Sequence, residues 1–167
     1  METPVPSKTR TEPVALYLSL LFSISVMIFG FIASASPFES LAAIWRSPGL
    51  LCTDFSFVGD IGAAFMNAGM MGAMAALLAI ASGDRRGIAV SAVFMCVGFA
   101  FFGKTPISGA VIIIGSCLRS VTAGRKPLAD VVTGLFGTCL SPLVSFISYS
   151  TPVGWPAAIA AGLVAGF

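Results

Sequence analysis

Few side chains in this sequence can hold an ion, a proton or a polar solute, so their positions are informative. Lys104 is the only charged residue between Arg86 and Arg119. It sits in Phe-Phe-Gly-Lys-Thr-Pro-Ile-Ser-Gly, with the hydroxyls of Thr105 and Ser108 beside it. An ammonium close to helix N-termini favours an anionic or carboxylate-bearing solute. If this turn reaches the headgroups, the same ammonium is merely solvated by snorkelling. Asn67 is the one amide in the apolar run Ile61–Ser82. In hydrocarbon it serves as interhelical hydrogen-bonding glue or lines a pore. Asp54 and Asp60 precede that run. Asp60 suits a helix N-cap, where a carboxylate accepts free N–H groups. The alternative is a cation or proton coupling site shared by Asp54 and Asp60. Lys104, Thr105, Ser108 and Asn67 together make the candidate solute path.

Other chemistries find little support. Gly98, Gly103, Lys104 and Thr105 match the spacing of a phosphate-binding P-loop. The residues between the glycines are Phe99, Ala100, Phe101 and Phe102, and Pro106 follows. A phosphate cradle needs open backbone N–H groups in a strand–loop–helix setting, so the match is a coincidence. The chain has no His, the commonest metal ligand and general base. Cys52, Cys96, Cys117 and Cys139 are widely spaced without a C-x-x-C, and read as small buried hydrophobes. Met66, Met70 and Met74 form a stripe at intervals of four; flexible packing explains it better than Cu(I) binding. An intramembrane enzyme would have only Asp54, Asp60 and Asp130 to work with. The expectation is therefore no catalysis, no cofactor and no metal. A net charge of +2 is also too small to argue for nucleic acid.

The elements that must position these residues are apolar helices. Hydrophobic residues make up 57% of the 167 and charged residues 10%, against about 25% charged in a soluble domain. The expected fold is an all-α integral membrane protein, a polytopic helix bundle in a lipid bilayer. Residues 1–13 read as a polar cytoplasmic tail and 14–167 as one membrane domain. Helices are expected at about 14–36, 61–82, 128–149 (kinked at Pro142) and 156–167. Ala33-Ser34-Ala35 resembles a signal-peptide cleavage site, but the apolar core before it is longer than the usual 7–15 residues, which favours a retained first helix. Pro37–Ser47 suits an interfacial helix with Trp45 at headgroup level.

The stretch 88–118 breaks the pattern. Its two apolar halves, about 16 and 12 residues, are short against the roughly 20 of a spanning helix. Gly103, Lys104 and Pro106 separate them, which predicts a broken, re-entrant helical hairpin. The basic segments are the N-terminal tail, Asp84–Arg86 and Arg119–Lys126. The positive-inside rule puts all three in the cytoplasm, with Lys104 at the hairpin tip. Ala68, Gly69, Gly72 and Ala76, and later Gly162 and Gly166, are small residues at helical spacing that let helices approach closely. The last apolar run is about half a crossing, which suggests the front part of a longer, duplicated transporter-like protein. Its partner would be the missing C-terminal half or a second copy.

The runs Asp60–Leu78 and Gly98–Gly115 resemble a family of bacterial multi-pass membrane proteins classed only as a domain of unknown function. An F-x-N-A-G segment followed by an F-G-K-x-x segment carries the likeness. It implies an inner-membrane protein and no known activity. Thr105-Pro106-Ile107-Ser108-Gly109 is also similar to part of the urea-transporter repeat. The leading Asn of that motif is replaced here by Lys104-Thr105, so urea selectivity does not carry over. The expected function is passage of an unidentified small solute, as transporter or channel. The alternative is a structural or assembly protein of the membrane.

Overall fold

The computed structural model describes residues 13–50 and 53–167. The tail expected over 1–13 lies almost wholly outside the described residues, as does Cys52. Nine α-helices run in chain order among the described residues: α1 (Pro13–Ala33), α2 (Pro37–Arg46), α3 (Phe55–Val58), α4 (Ile61–Ser82), α5 (Gly87–Phe99), α6 (Pro106–Thr122), α7 (Val131–Gly137), α8 (Ser141–Ser150) and α9 (Trp155–Gly166). Val14–Ala33, Ile61–Ser82 and Val131–Ser150 are long and apolar enough to cross a membrane. Large apolar side chains such as Leu18, Leu21, Ile32, Leu77, Phe94 and Ile114 face outward. So much exposed apolar surface suits lipid and not water. This is an all-α membrane bundle.

α1 and α4 are antiparallel and share the most extensive helix packing in the molecule. Glycines make this possible. A Cβ on Gly62 would lie 2.6 Å from the Gly30 carbonyl oxygen, and one on Gly69 would lie 2.7 Å from the Cα of Met27. Gly72 faces Ser23 of α1 on one side and Val97 of α5 on the other. The stripe anticipated around Ala68, Gly69, Gly72 and Ala76 is thus consumed within the chain. α4 starts at Asp60, whose carboxylate accepts the Ala63 N–H at 2.7 Å. It stops at Gly83, whose φ of 73° is a left-handed C-cap.

α5 returns alongside the second half of α4, bedding Ala89, Ala92, Val93 and Cys96 among Ala68, Ala75, Ala76 and Ala79. The chain turns at residues 100–105, beside Asn67, and α6 runs back. The two arms are splayed, and α7 packs against both. Leu16 and Tyr17 line one crevice with Gly83, Asp84 and Arg85. Ala81 and Ser82 line another with Gly124–Ala129. The start of α1, the Gly83–Arg86 turn and the basic loop after α6 therefore share one end of the bundle. There Asp130 accepts hydrogen bonds from Ser120 Oγ at 3.0 Å and Arg125 Nη1 at 2.8 Å, with Arg119 3.6 Å away.

The segment expected as one helix over 128–149 begins later and breaks earlier than Pro142. Leu128–Asp130 are in a turn. A 3-10 turn at Thr138–Leu140 separates α7 from α8. The displacement has a simple cause: a proline ring collides with the carbonyl four residues before it, and four before Pro142 is Thr138. The first helix ends at Ala33 instead of 36, and Pro37 opens α2. α9 lies along α6 and α8, with Gly162 against Val111 and Val144 and Gly166 against Ile112 and Ser116.

If glycine contacts set the α1–α4 spacing, Gly69→Ala must push backbone apart. The expected cost is about 1–3 kcal/mol, seen as a lower unfolding midpoint in detergent. Gly98→Ala is the control, because nothing lies within 4 Å of an added Cβ there. Equal midpoints for both variants would remove the close-packing argument.

Candidate functional site: a buried lysine between two helix breaks

Residues 100–105 are irregular backbone inside an apolar molecule, so each carbonyl released from α5 needs a donor. Asn67, 0% exposed, supplies two. Its Nδ2 donates to the carbonyls of Ala100 at 2.7 Å and Lys104 at 2.9 Å. Its Oδ1 accepts from Trp45 Nε1 at 3.1 Å. The half-buried Trp45 is therefore turned toward α4, its indole N–H held by a buried amide oxygen.

α2, α3 and their connection cover the turn. Gly103, at φ 70°, meets the backbone of Gly49 and Leu50. Asp54 forms an isolated β-bridge with Phe102. Phe55 is buried beside Ile44, Ala63 and Ala64, with Phe101 packed against them.

Lys104 is also 0% exposed. The snorkelling reading therefore fails: Phe102 of the turn reaches the surface, but the amine is enclosed. Its Nζ lies 3.3 Å from Cys96 Sγ. That sulfur lies 3.7 Å from Thr138 Oγ1 and 3.8 Å from the Leu135 carbonyl. Thr138 belongs to the 3-10 break. On the other side of Lys104, Thr105 caps α6 through a reciprocal box with Ser108. Ser108 Oγ is 3.0 Å from Ser141 Oγ, at the start of α8. Thr105, Ser108, Thr138 and Ser141 are all buried. The break in α5–α6 thus meets the break in α7–α8 at a polar seam of one amine, one thiol and four hydroxyls.

Of the residues singled out from sequence, Lys104, Thr105 and Ser108 come together here, and Asn67 holds the turn that carries them. Asp54 and Asp60 do not join them. Asp54 caps α3, and hydrogen bonds from the Ser56 hydroxyl and N–H hold its carboxyl below the usual range. Burial pushes the Asp60 carboxyl up, but hydrogen bonds from Ser34, the Ala63 N–H, Ser40 and the Gly62 N–H together lower it. Sequence reasoning missed Cys96, Thr138 and Ser141 as members of the seam. The available signal was the placement of Thr138 and Ser141 just before Pro142 in an apolar run. Among the described residues no group of His, Cys, Asp and Glu is arranged to hold a metal ion.

Asn67→Leu removes both donors while nearly keeping volume. Each carbonyl left dry costs about 1–3 kcal/mol, so a marked fall in the unfolding midpoint is expected. Tyr149→Phe, which removes an exposed 3.4 Å bond to the Trp45 carbonyl, should stay within about 0.5 kcal/mol of wild type. If the two variants match, Asn67 is not the support of the turn.

No curated protein matches the chain, and no solved structure does. One family model matches residues 33–167, from the end of α1 through α9, and so contains every residue of the seam. The chain belongs to that family, described as Protein of unknown function (DUF1576).

Proposed function

We propose that this membrane bundle passes a small solute across the bilayer, along a path by Lys104, Thr105, Ser108 and Asn67. The observation that carries the reading is a fully buried lysine, set among hydroxyls where two helices are interrupted at the same place. Ionisable residues inside membranes are costly and mark solute or ion pathways. Interrupted helices around a buried polar site are the usual construction of a transporter's binding region. α5, at 13 residues, is about 20 Å long, short of the roughly 30 Å hydrocarbon core. α5 and α6 then form a re-entrant hairpin. A structural or assembly role has less support, because Gly30, Gly62, Gly69 and Gly72 are already occupied by contacts within the chain. Asp54 and Asp60 act as helix caps, which leaves their coupling role without support.

The basic end, with Arg85, Arg86, Arg119, Arg125 and Lys126, is assigned to the cytoplasmic side of a bacterial inner membrane. Single cysteines at Ala123 and Val153, in a background lacking native Cys, test this in intact cells. The exposed Ala123 position should resist an impermeant thiol reagent and the exposed Val153 position should react. The reverse pattern would invert the assignment.

The flux test uses the full chain in proteoliposomes, with small anions, neutral amides and amino acids inside. Lys104→Gln removes the charge, and Lys104→Arg alters its shape at a tight site. Losing a hydrogen bond from a charged donor costs about 1.5–3 kcal/mol, so flux should fall roughly tenfold or more in each. Wild-type flux in both variants would leave Gly-Lys-Thr-Pro as a structural turn.

A further inference from the structure

Among the described residues the Lys104 ammonium has no counter-charge within ion-pair distance. Among the described residues the ion pairs are Arg86–Asp84, Arg119–Asp130 and Arg125–Asp130, all at the basic end. The carboxylates near the covered side of the turn face elsewhere: Asp54 binds Ser56, and Asp60 binds Ser34 and the Ala63 N–H. What Lys104 does touch is a thiol sulfur, a weak acceptor for one of three N–H donors. Beside it begins α6, whose 17 residues set a positive dipole end at Thr105. A buried cation beside a positive helix end makes electropositive surroundings, and a charge there is costly until it is paired.

We propose that the missing partner is a small monovalent anion, a halide or a one-carbon or two-carbon carboxylate, held at Lys104 Nζ, with the Thr138 hydroxyl turning its one proton to it from the Leu135 carbonyl. Resting on the solute-path reading, this names the class of solute. Size follows from burial: Lys104, Cys96 and Thr138 are each 0% exposed, so an ion held among them has few atoms. Valence follows from charge, since one ammonium neutralises one negative charge. The capping box explains why the anion sits at the amine and not on the α6 N-terminus, because Thr105 already accepts the Ser108 N–H there.

The test measures thermal unfolding of the full chain in detergent at constant ionic strength. Sodium chloride and sodium formate are titrated against the sodium salt of a bulky sulfonate. A saturable rise of the midpoint with chloride or formate is expected, because a ligand that binds only the folded state stabilises it. Chloride alone, or formate alone, identifies which of the two anions is held. Lys104→Gln should abolish the rise, and Lys104→Arg, which keeps the charge, should retain it. Thr138→Val should weaken it, and Lys126→Gln, at an exposed lysine, should leave it intact. Should Lys104→Gln fail to fold, the Thr138→Val and Lys126→Gln comparison still decides. Wild type insensitive to both anions overturns the proposal. So does sensitivity that appears only in Cys96→Ser, since that makes a Cys96 thiolate the counter-charge.

Proteoliposome flux separates this from the path reading. Flux of neutral amides without any anion effect keeps the path and rejects the anion. Anion binding without flux of any solute keeps the anion and rejects the path.

Discussion

The constraint on which the structure depends is that a chain turning inside an apolar medium must satisfy its own backbone. Water is not there to do it. In this chain one side chain, Asn67, meets a central part of that demand, bonding the carbonyls of Ala100 and Lys104 on either side of the turn. Its remaining oxygen takes the Trp45 N–H, which ties α2 to the same point. The turn, the covering segment and the long helix α4 therefore meet at a single amide. A helix interrupted at residues 100–105 is tolerable because α4 presents that amide at the right height.

The position of the polar seam follows from two sequence devices that have nothing to do with each other locally. Gly103, with Pro106 just after Thr105, ends one helix and starts the next. Pro142 unseats the carbonyl of Thr138 and forces a 3-10 turn. Each break carries buried hydroxyls, and packing brings Ser108 and Ser141 within hydrogen-bonding distance. Lys104 is enclosed between them because α2 and α3 close the outer side. Phe101 and Phe65, with ring centroids 5.1 Å apart, hold the aromatic part of the turn against α4.

Close backbone approach supplies the rigidity this arrangement requires. α1 and α4 touch through glycine at three levels, and a membrane bundle gains cohesion from such packing because lipid offers no hydrophobic penalty to drive helices together. The polar contacts at the basic end work differently. Asp130 joins Ser120, Arg119 and Arg125 in a partly wet cluster. There the ionic contacts are screened, and they orient the α6–α7 connection more than they stabilise it.

Much was legible from the sequence alone, because it depends on composition and local chemistry. Apolar runs of membrane-spanning length, the Asp60 cap, the glycine stripe of α4 and the interruption at Gly-Lys-Thr-Pro are properties of neighbouring residues. So are the basic segments Asp84–Arg86 and Arg119–Lys126, which the fold gathers at one end. The tertiary structure decided what depends on residues far apart in the chain. It buried Lys104, turned Trp45 toward α4, and set Cys96, Thr138 and Ser141 beside the amine. It left Asp54 and Asp60 as caps away from the seam. The reason is physical: periodicity reports which face of a helix is apolar, but not which polar group on another helix will stand opposite it. That pairing is set by helix crossing and by breaks such as the one Pro142 imposes four residues upstream, and both exist only once the helices are packed.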